Sequence, residues 1–263
     1  MKNRVDIQSQ TDLRKITIDK VGVKNVRYPI IVEDRARGTQ HTVADLDIYV
    51  QLPHDHRGTH MSRFLEVLNR FHQENFIPNL QEFLQATKLA LKAEAAYTTI
   101  KFPYFMEKKA PVSGIASLQA YNCIFEASLD NNFQLIIGVE VPVTSLCPCS
   151  REISDFGAHN QRSIISLKVR FHDFIWLEEL IEMVEDTASS QIYPLLKRVD
   201  EKFVTEQAYK NPAFVEDIVR ELTLKLMQDN RITDFQVEAE NLESIHSHNA
   251  YASVSRSKDE TNG

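Results

Sequence analysis

The chain has 263 residues, 43% hydrophobic and 25% charged, a balance that argues against collagen-like, disordered and membrane-embedded classes. Its formal net charge is -7, which argues against a broad phosphate-binding surface for DNA or RNA but leaves room for a local basic cluster holding a small anion. The 7 glycines are scattered, with no GxGxxG and no GxxxxGK[ST] run, so neither a dinucleotide fold nor a P-loop phosphate cradle is expected.

The N-terminus, MKNRVDIQSQTDLRKITIDK, lacks an apolar core of signal-peptide length, and the apolar run LIIGVEVPV is too short to span a bilayer. A cytoplasmic location is expected. The cysteines, Cys123, Cys147 and Cys149, are too few and odd in number for a disulfide framework and read as reduced thiols. Residues 1–18 and 255–263 are polar and read as an N-terminal arm and a flexible tail.

In chain order, a segment near Val23–Glu33, a turn at Arg37-Gly38 and a strand over 43–51 predict a hairpin. Leu46, Ile48 and Val50 share one face of that strand, and Asp45, Asp47 and Tyr49 the other. Helical spacing follows over 62–75, then over Asn79–Tyr97 after Pro78. Strand patterns resume at 98–107 and 113–128, where Cys123 reads as a core residue. The second half alternates strictly at Leu135, Ile137, Val139, Val141 and Val143, and again at Ile165, Leu167, Val169 and Phe171. A helix over Trp176–Val184 follows. Another is predicted to open with Asn211 as N-cap and Pro212 at its first position, running to Leu226. Strands near 232–242 and 249–254 close the chain. The order strand, strand, helix, helix, strand, strand therefore occurs twice. It predicts an α+β protein of two tandem units, 19–128 and 129–254, with antiparallel sheet and helices on one face. The halves share pattern, not sequence.

Three segments could carry chemistry. Pro142–Gln161 (PVTSLCPCSREISDFGAHNQ) joins two strands through a loop long for a hairpin and holds Cys147, Cys149 and His159. CxC spacing alone leaves metal or nucleophilic chemistry and inert buried thiols both open. Asn241–His248 (NLESIHSH) places Glu243, His246 and His248 after the last long strand. The i, i+2 histidines could enter one cavity or sit in a solvated loop. Residues 53–64 gather His54, His56, Arg57, His60 and Arg63, as an anion site or as a charged start to a helix. By composition Glu201 and Glu216 read as parts of solvated helix faces.

The runs TSLCPCSREISDFGAHNQRS, RGTHMSRF and ESIHSHNAYA, in this order, resemble the type IB family of GTP cyclohydrolase I, and the resemblance covers essentially the whole chain. It implies the tunnelling fold (T-fold), with two such units per subunit. It implies conversion of GTP and water to formate and 7,8-dihydroneopterin triphosphate, the first step of tetrahydrofolate biosynthesis. It makes Cys147, His159 and Glu201 metal ligands, with Glu243 a further candidate and Asp200 the competitor of Glu201 in the run VDEKFVTE. The cofactor would be one divalent ion per site, Zn, Mn or Fe, since a mixed thiolate, imidazole and carboxylate set does not select one metal. Glu216 would anchor the guanine. His246 would lead the proton transfers, with Cys149 and His248 beside it. Arg63, His60 and Lys168, together with Arg57, are candidates for the triphosphate. The resemblance also implies a homo-oligomer, expected as a tetramer, with sites at subunit interfaces and neither nucleic acid nor membrane as partner. The rival readings are a nitrile reductase of the same fold using a cysteine nucleophile, and a non-catalytic metal-binding protein.

Overall fold

The structure is a computed structural model that describes residue 8 and residues 10–71 and 75–258. The chain divides into two compact units, Met1–Phe102 with Ile124–Ile136, and Pro103–Cys123 with Ile137–Gly263.

In the first unit, β1 (Ile18–Asp34) and β2 (Gly38–Leu52) form an antiparallel hairpin. The Asp34 carboxylate closes its turn by accepting the amides of Ala36 (2.9 Å) and Arg37 (2.8 Å), and Gly38 supplies the left-handed φ of 82° that follows. Gly22 is needed for another reason: a Cβ there would lie 1.9 Å from the Ile48 carbonyl oxygen. Leu46, Ile48 and Val50 are all buried, as their alternation predicts, and each such burial stabilises by about 1.5–3 kcal/mol. β2 pairs with the start of β3 (Ala96–Lys109). Helices α1 (Met61–Leu68) and α2 (Leu80–Leu91) pack on each other and on this hairpin through Phe64, Leu68, Phe83 and Leu84.

Both helices are shorter than their apolar spacing predicts. α1 ends at Leu68, and 72–74 of the expected 62–75 helix lie outside the described residues. α2 ends because Lys92 turns left-handed, with φ 53°, and Ala93 donates back to the Lys88 carbonyl at 3.0 Å. Tyr97, expected in the helix, is therefore in β3. The arm 1–18 lies outside the described residues at 1–7 and 9. Elsewhere it is partly tied down: Arg57 donates to the Gln10 carbonyl (3.1 Å) and Asp12 to that of Asp55 (3.0 Å). Of the tail, 259–263 are likewise outside the described residues.

In the second unit the strand order is β3, β4 (Ala116–Leu129), β5 (Phe133–Leu146), β6 (Asn160–Phe171), β8 (Ile232–Asn241), β9 (Ala250–Ser257), and the short β7 (Ser190–Gln191) pairs with β5. β6, β8 and β9 pair antiparallel. Helix α4 (Leu177–Glu185) packs on β6 and on α6 (Val215–Gln228), and α6 covers β8 and β9. Three elements are additions to the expected order: α3 (Pro148–Ile153), β7 and α5 (Arg198–Lys210). α6 also starts later than Asn211-Pro212 suggests. Asn211 is the C-cap of α5, and the cap of α6 is made by Asp217, whose carboxylate accepts the Phe214 amide at 3.1 Å. Strand, strand, helix, helix, strand, strand still occurs twice. The compact units divide the chain differently, because β3, β4 and β5 each give one end to either unit.

A buried charge cluster lies within the second unit. Lys108 Nζ is 2.6 Å from Glu185 Oε1, with the two side chains 7% and 5% exposed. The Tyr121 hydroxyl donates to the same oxygen at 2.6 Å, and Nζ donates to Gln191 Oε1 at 3.0 Å. Burial pulls the Lys108 ammonium below its ordinary value, opposed by the Glu185 charge. Cys123 is buried in β4, and burial pushes its thiol up, so it is an inert core residue.

Candidate active site

The loop between β5 and β6 is closed at its base, where the Cys147 amide donates to the His159 carbonyl at 3.1 Å. Cys147 is the N-cap of α3, with Pro148 at the first helical position, and its Sγ accepts the Ser150 amide at 3.5 Å. Ser150 bridges the two ends of the loop. Its hydroxyl donates to the Cys147 carbonyl (3.1 Å) and accepts the His159 amide (3.2 Å). Cys149, in the first turn of α3, is exposed.

The orientation of His159 is set from behind. Its Nδ1 lies 3.0 Å from Gln161 Oε1, and Gln161 Nε2 donates to Ser145 Oγ at 3.3 Å. An amide oxygen accepts, so Nδ1 carries the proton and the Nε2 lone pair is left for a ligand. Ser145 is a junction: its hydroxyl also accepts from Asn241 Nδ2 (3.4 Å) and donates to the Ala213 carbonyl (3.0 Å). Ser163 completes the network by donating to Asn241 Oδ1 at 2.6 Å. Metal-binding histidines are held in this way by the atoms behind them. Gln161, Ser145, Ser150 and Asn241 did not stand out in the sequence. For Gln161 a signal existed, since period-two geometry turns i and i+2 to one side of a strand.

The segment after β8 brings its histidines to the same place. It is anchored by the Leu242 amide, which donates to the Arg162 carbonyl at 2.9 Å. The His246 ring stands edge-on to His159, with centroids 6.5 Å apart, and stacks on His248 at 5.2 Å. Glu243 is half-buried, while His246 and His248 are exposed.

The two adjacent acids of α5 have separate environments. Asp200 is wholly buried and accepts four hydrogen bonds, from the amides of Val112 (2.9 Å), Ser113 (2.8 Å) and Lys197 (2.8 Å) and from Ser113 Oγ (2.6 Å). Burial alone would raise its pKa. The hydrogen bonds from Ser113, Lys197 and Val112 outweigh that and hold the carboxyl well below the usual range. Asp200 is thus spent on capping α5, whereas Glu201 is exposed. Glu216 is exposed in the first turn of α6, whose start is pinned beside the loop by the Ala213 amide donating to the Leu146 carbonyl at 3.1 Å.

The backbones of Cys147 and His159 are therefore joined, and the rings of His159, His246 and His248 follow one another at 6.5 and 5.2 Å. Among the described residues, no three His, Cys, Asp or Glu side chains are grouped as a metal-holding set, so Glu201 and Glu243 do not complete one with Cys147 and His159. The chemistry of the pair itself, a thiol sulfur and an oriented imidazole nitrogen, fits a divalent transition metal. His60 is the N-cap residue of α1, Arg63 Nη1 donates to the Ala90 carbonyl at 3.2 Å, and Arg57 Nη1 donates to Gln10 Oε1 at 2.9 Å, all in the first unit. Lys168 lies on β6 opposite Gln236.

The fold class follows from solved structures. Over 92% of this chain and the whole of the other, it superposes on the urate oxidase of Bacillus sp. TB-90 with a TM-score of 0.55 at 8% identity. Over 91% of this chain and 99% of the other, it superposes on that of Bacillus subtilis 168 with a TM-score of 0.53 at 7% identity. That likeness defines an α+β protein of the tunnelling fold. Sequence is more specific. Residues 5–252 match the family model of type I GTP cyclohydrolase folE2. The chain is 56% identical over 255 residues to GTP cyclohydrolase FolE2 of Geotalea uraniireducens, covering 97% of this chain and 94% of the relative. It is 54% identical over 258 residues to that of Geobacter metallireducens, covering 98% and 99%. The chain belongs to the type I GTP cyclohydrolase FolE2 family.

Proposed function

We propose that this protein is a metal-dependent GTP cyclohydrolase I of the type IB kind, converting GTP and water to formate and 7,8-dihydroneopterin triphosphate. The observation that carries the reading is the His159 ring, beside that of His246 and on a loop closed onto Cys147, turned by Gln161 so that Nε2 is left for a ligand, in a chain of this family. Cys147, His159 and Glu201 are the proposed ligands of one divalent ion, Zn, Mn or Fe, with Glu243 a further candidate. When bound, the ion supplies Lewis-acid activation of water for attack at C8 of the purine. Glu216 binds the base: its two carboxylate oxygens accept the N1–H and N2–H donors that guanine has and adenine lacks as a pair. His246 carries protons to and from the ring nitrogens as the imidazole ring opens, a role suited to a side chain with one nitrogen that donates and one that accepts. Cys149 and His248 assist it. Arg63, His60 and Lys168 stay as candidates for the triphosphate.

We further propose a homo-oligomer, a tetramer, whose sites are completed between subunits. Large apolar side chains stand exposed in the same two segments, Ile153 at 84% exposure, Phe156 at 93% and Ile245 at 63%. A second copy would cover them and could bring the missing carboxylate to Cys147 and His159. The repeat division at 19–128 and 129–254 belongs to this reading. So does a cytoplasmic enzyme with neither nucleic acid nor membrane as partner; among the described residues no helix is long and apolar enough to cross a membrane. The test is incubation of the metal-reconstituted protein with GTP, followed by oxidation and detection of pterin fluorescence. Absence of pterin with Mn, Zn and Fe each supplied would refute the reading, and a protein that neither holds nor needs metal would point to the nitrile reductase.

A further inference from the structure

The second unit holds a cavity of about 410 Å³, within the range of small-molecule sites. Gln161, which orients His159, lies on its wall. Asn160 and Arg162 on its wall follow His159 along β6. Val204, Thr205 and Ala208 stand on the face of α5 that carries Glu201 one turn earlier. Among the described residues, Arg162 is the one charged residue of the lining, and no carboxylate shares it. Its guanidinium has no ion pair or side-chain hydrogen bond among the described residues.

The opposite wall is also built to donate. Gln191 lines the cavity, and its Oε1 is taken by Lys108 Nζ at 3.0 Å. What Gln191 can offer a ligand is therefore its N–H groups. Lys108 is held by Glu185 on one side and lies 4.7 Å from the centre of the Tyr193 ring on another, so the amide is locked in that sense. Tyr193 also lines the cavity. Burial and the charges of Glu185 and Asp200 raise its pKa, which keeps the hydroxyl protonated and able to donate. A guanidinium, a carboxamide N–H and a phenol on one lining, which holds no carboxylate among the described residues, fit an anionic ligand rich in acceptor oxygens.

We propose that this cavity receives the triphosphate arm of the nucleotide, with Arg162 as its main cation and Gln191, oriented by the Lys108–Glu185 pair, as a second donor. The inference rests on the GTP reading above and moves the phosphate contacts from Arg63, His60 and Lys168 to Arg162.

Equilibrium binding to the metal-loaded protein tests it, with GTP, guanosine and inorganic tripolyphosphate as probes and Arg162→Gln and Gln191→Leu as variants. Arg162 is exposed, so its replacement is expected to fold, which a melting curve checks. Loss of charge-assisted hydrogen bonds should weaken GTP and tripolyphosphate at least about tenfold in Arg162→Gln and about threefold or more in Gln191→Leu. Guanosine should stay within about twofold, because the base contacts are untouched. Tripolyphosphate should compete with GTP. Guanosine binding kept while GTP is indifferent to both variants would overturn the inference alone. So would tripolyphosphate binding through Arg162 without competing with GTP, which marks a free-anion site. Failure of both GTP and guanosine to bind the wild-type protein would overturn the functional reading itself.

Discussion

Replacing Lys108 by methionine should leave a buried carboxylate without its cation. Nζ lies 2.6 Å from Glu185 Oε1, and neither side chain reaches a tenth of its full exposure. Removing one partner of such a pair costs about 3–5 kcal/mol, since the charge left behind stays desolvated. Unfolding entropy near 2.1 cal/mol/K per residue converts about 4 kcal/mol into a fall in Tm of about 7 °C if the whole chain unfolds together. The fall is about 13 °C if the second unit unfolds alone. Circular dichroism melting of the variant measures this directly. Adding Glu185→Gln keeps an acceptor for the Tyr121 hydroxyl but removes the stranded charge, so the double variant should recover about half the loss. A Tm within about 2 °C of wild type, or two losses that simply add, would refute the claim that this is a coupled pair in a low-dielectric site.

Other substitutions separate the proposed roles. Cys147→Ala should lose bound metal by elemental analysis while Tm moves by less than about 3 °C, because the side chain is only half-buried; full metal content would remove it as a ligand. Glu216→Gln should raise the KM for GTP roughly 10- to 100-fold with metal content unchanged, as two charge-assisted bonds to guanine are weakened; a fall in metal instead would mean the anchor is misassigned. In acid, Asp200 and Asp229 should dominate. The first is held low by its capping bonds despite burial and the second by Arg231, both beneath the ordinary value of 3.8. A depressed folded pKa gives stabilisation that is complete above the unfolded value and is lost as pH falls through the folded one. Tm should therefore be flat from pH 7 to about 5 and drop below about 4, with a shallower drop in Asp200→Asn. An unchanged acid limb in that variant would count against the assignment.

The sheet was legible because its strands alternate without interruption: Leu46, Ile48 and Val50, or Val139, Val141 and Val143, are buried as period two requires. Helix α5 was not. Its Val199, Phe203 and Tyr209 are exposed, so RVDEKFVTEQAYK shows no apolar stripe, and its stability comes from the buried Asp200 cap. The start of α6 was misplaced because Asn211-Pro212 imitates an N-cap, while the bond that decides it comes from Asp217. At the candidate site, the chemical types of Cys147, His159 and His246 could be read from the chain. The side chains that orient them could not, since Ser145, Gln161 and Asn241 are ordinary polar residues until the strands bring them together.

The Ser145 hydroxyl has a consequence for how the enzyme is made. The protein that emerges first from the ribosome carries Cys147 and His159 well before Ala213 and Asn241 exist, and Asn241 is 96 residues beyond Ser145. Until the strand bearing Asn241 has been synthesised and docked, Ser145 lacks one of its partners, although Gln161 already lies within hydrogen-bond reach of His159 Nδ1. Domains form progressively during translation, so the β5–β6 hairpin, with Gln161 already beside His159, can form before the strand that buttresses Ser145. The hydrogen-bond network behind the loop is then completed late, with the docking of β8.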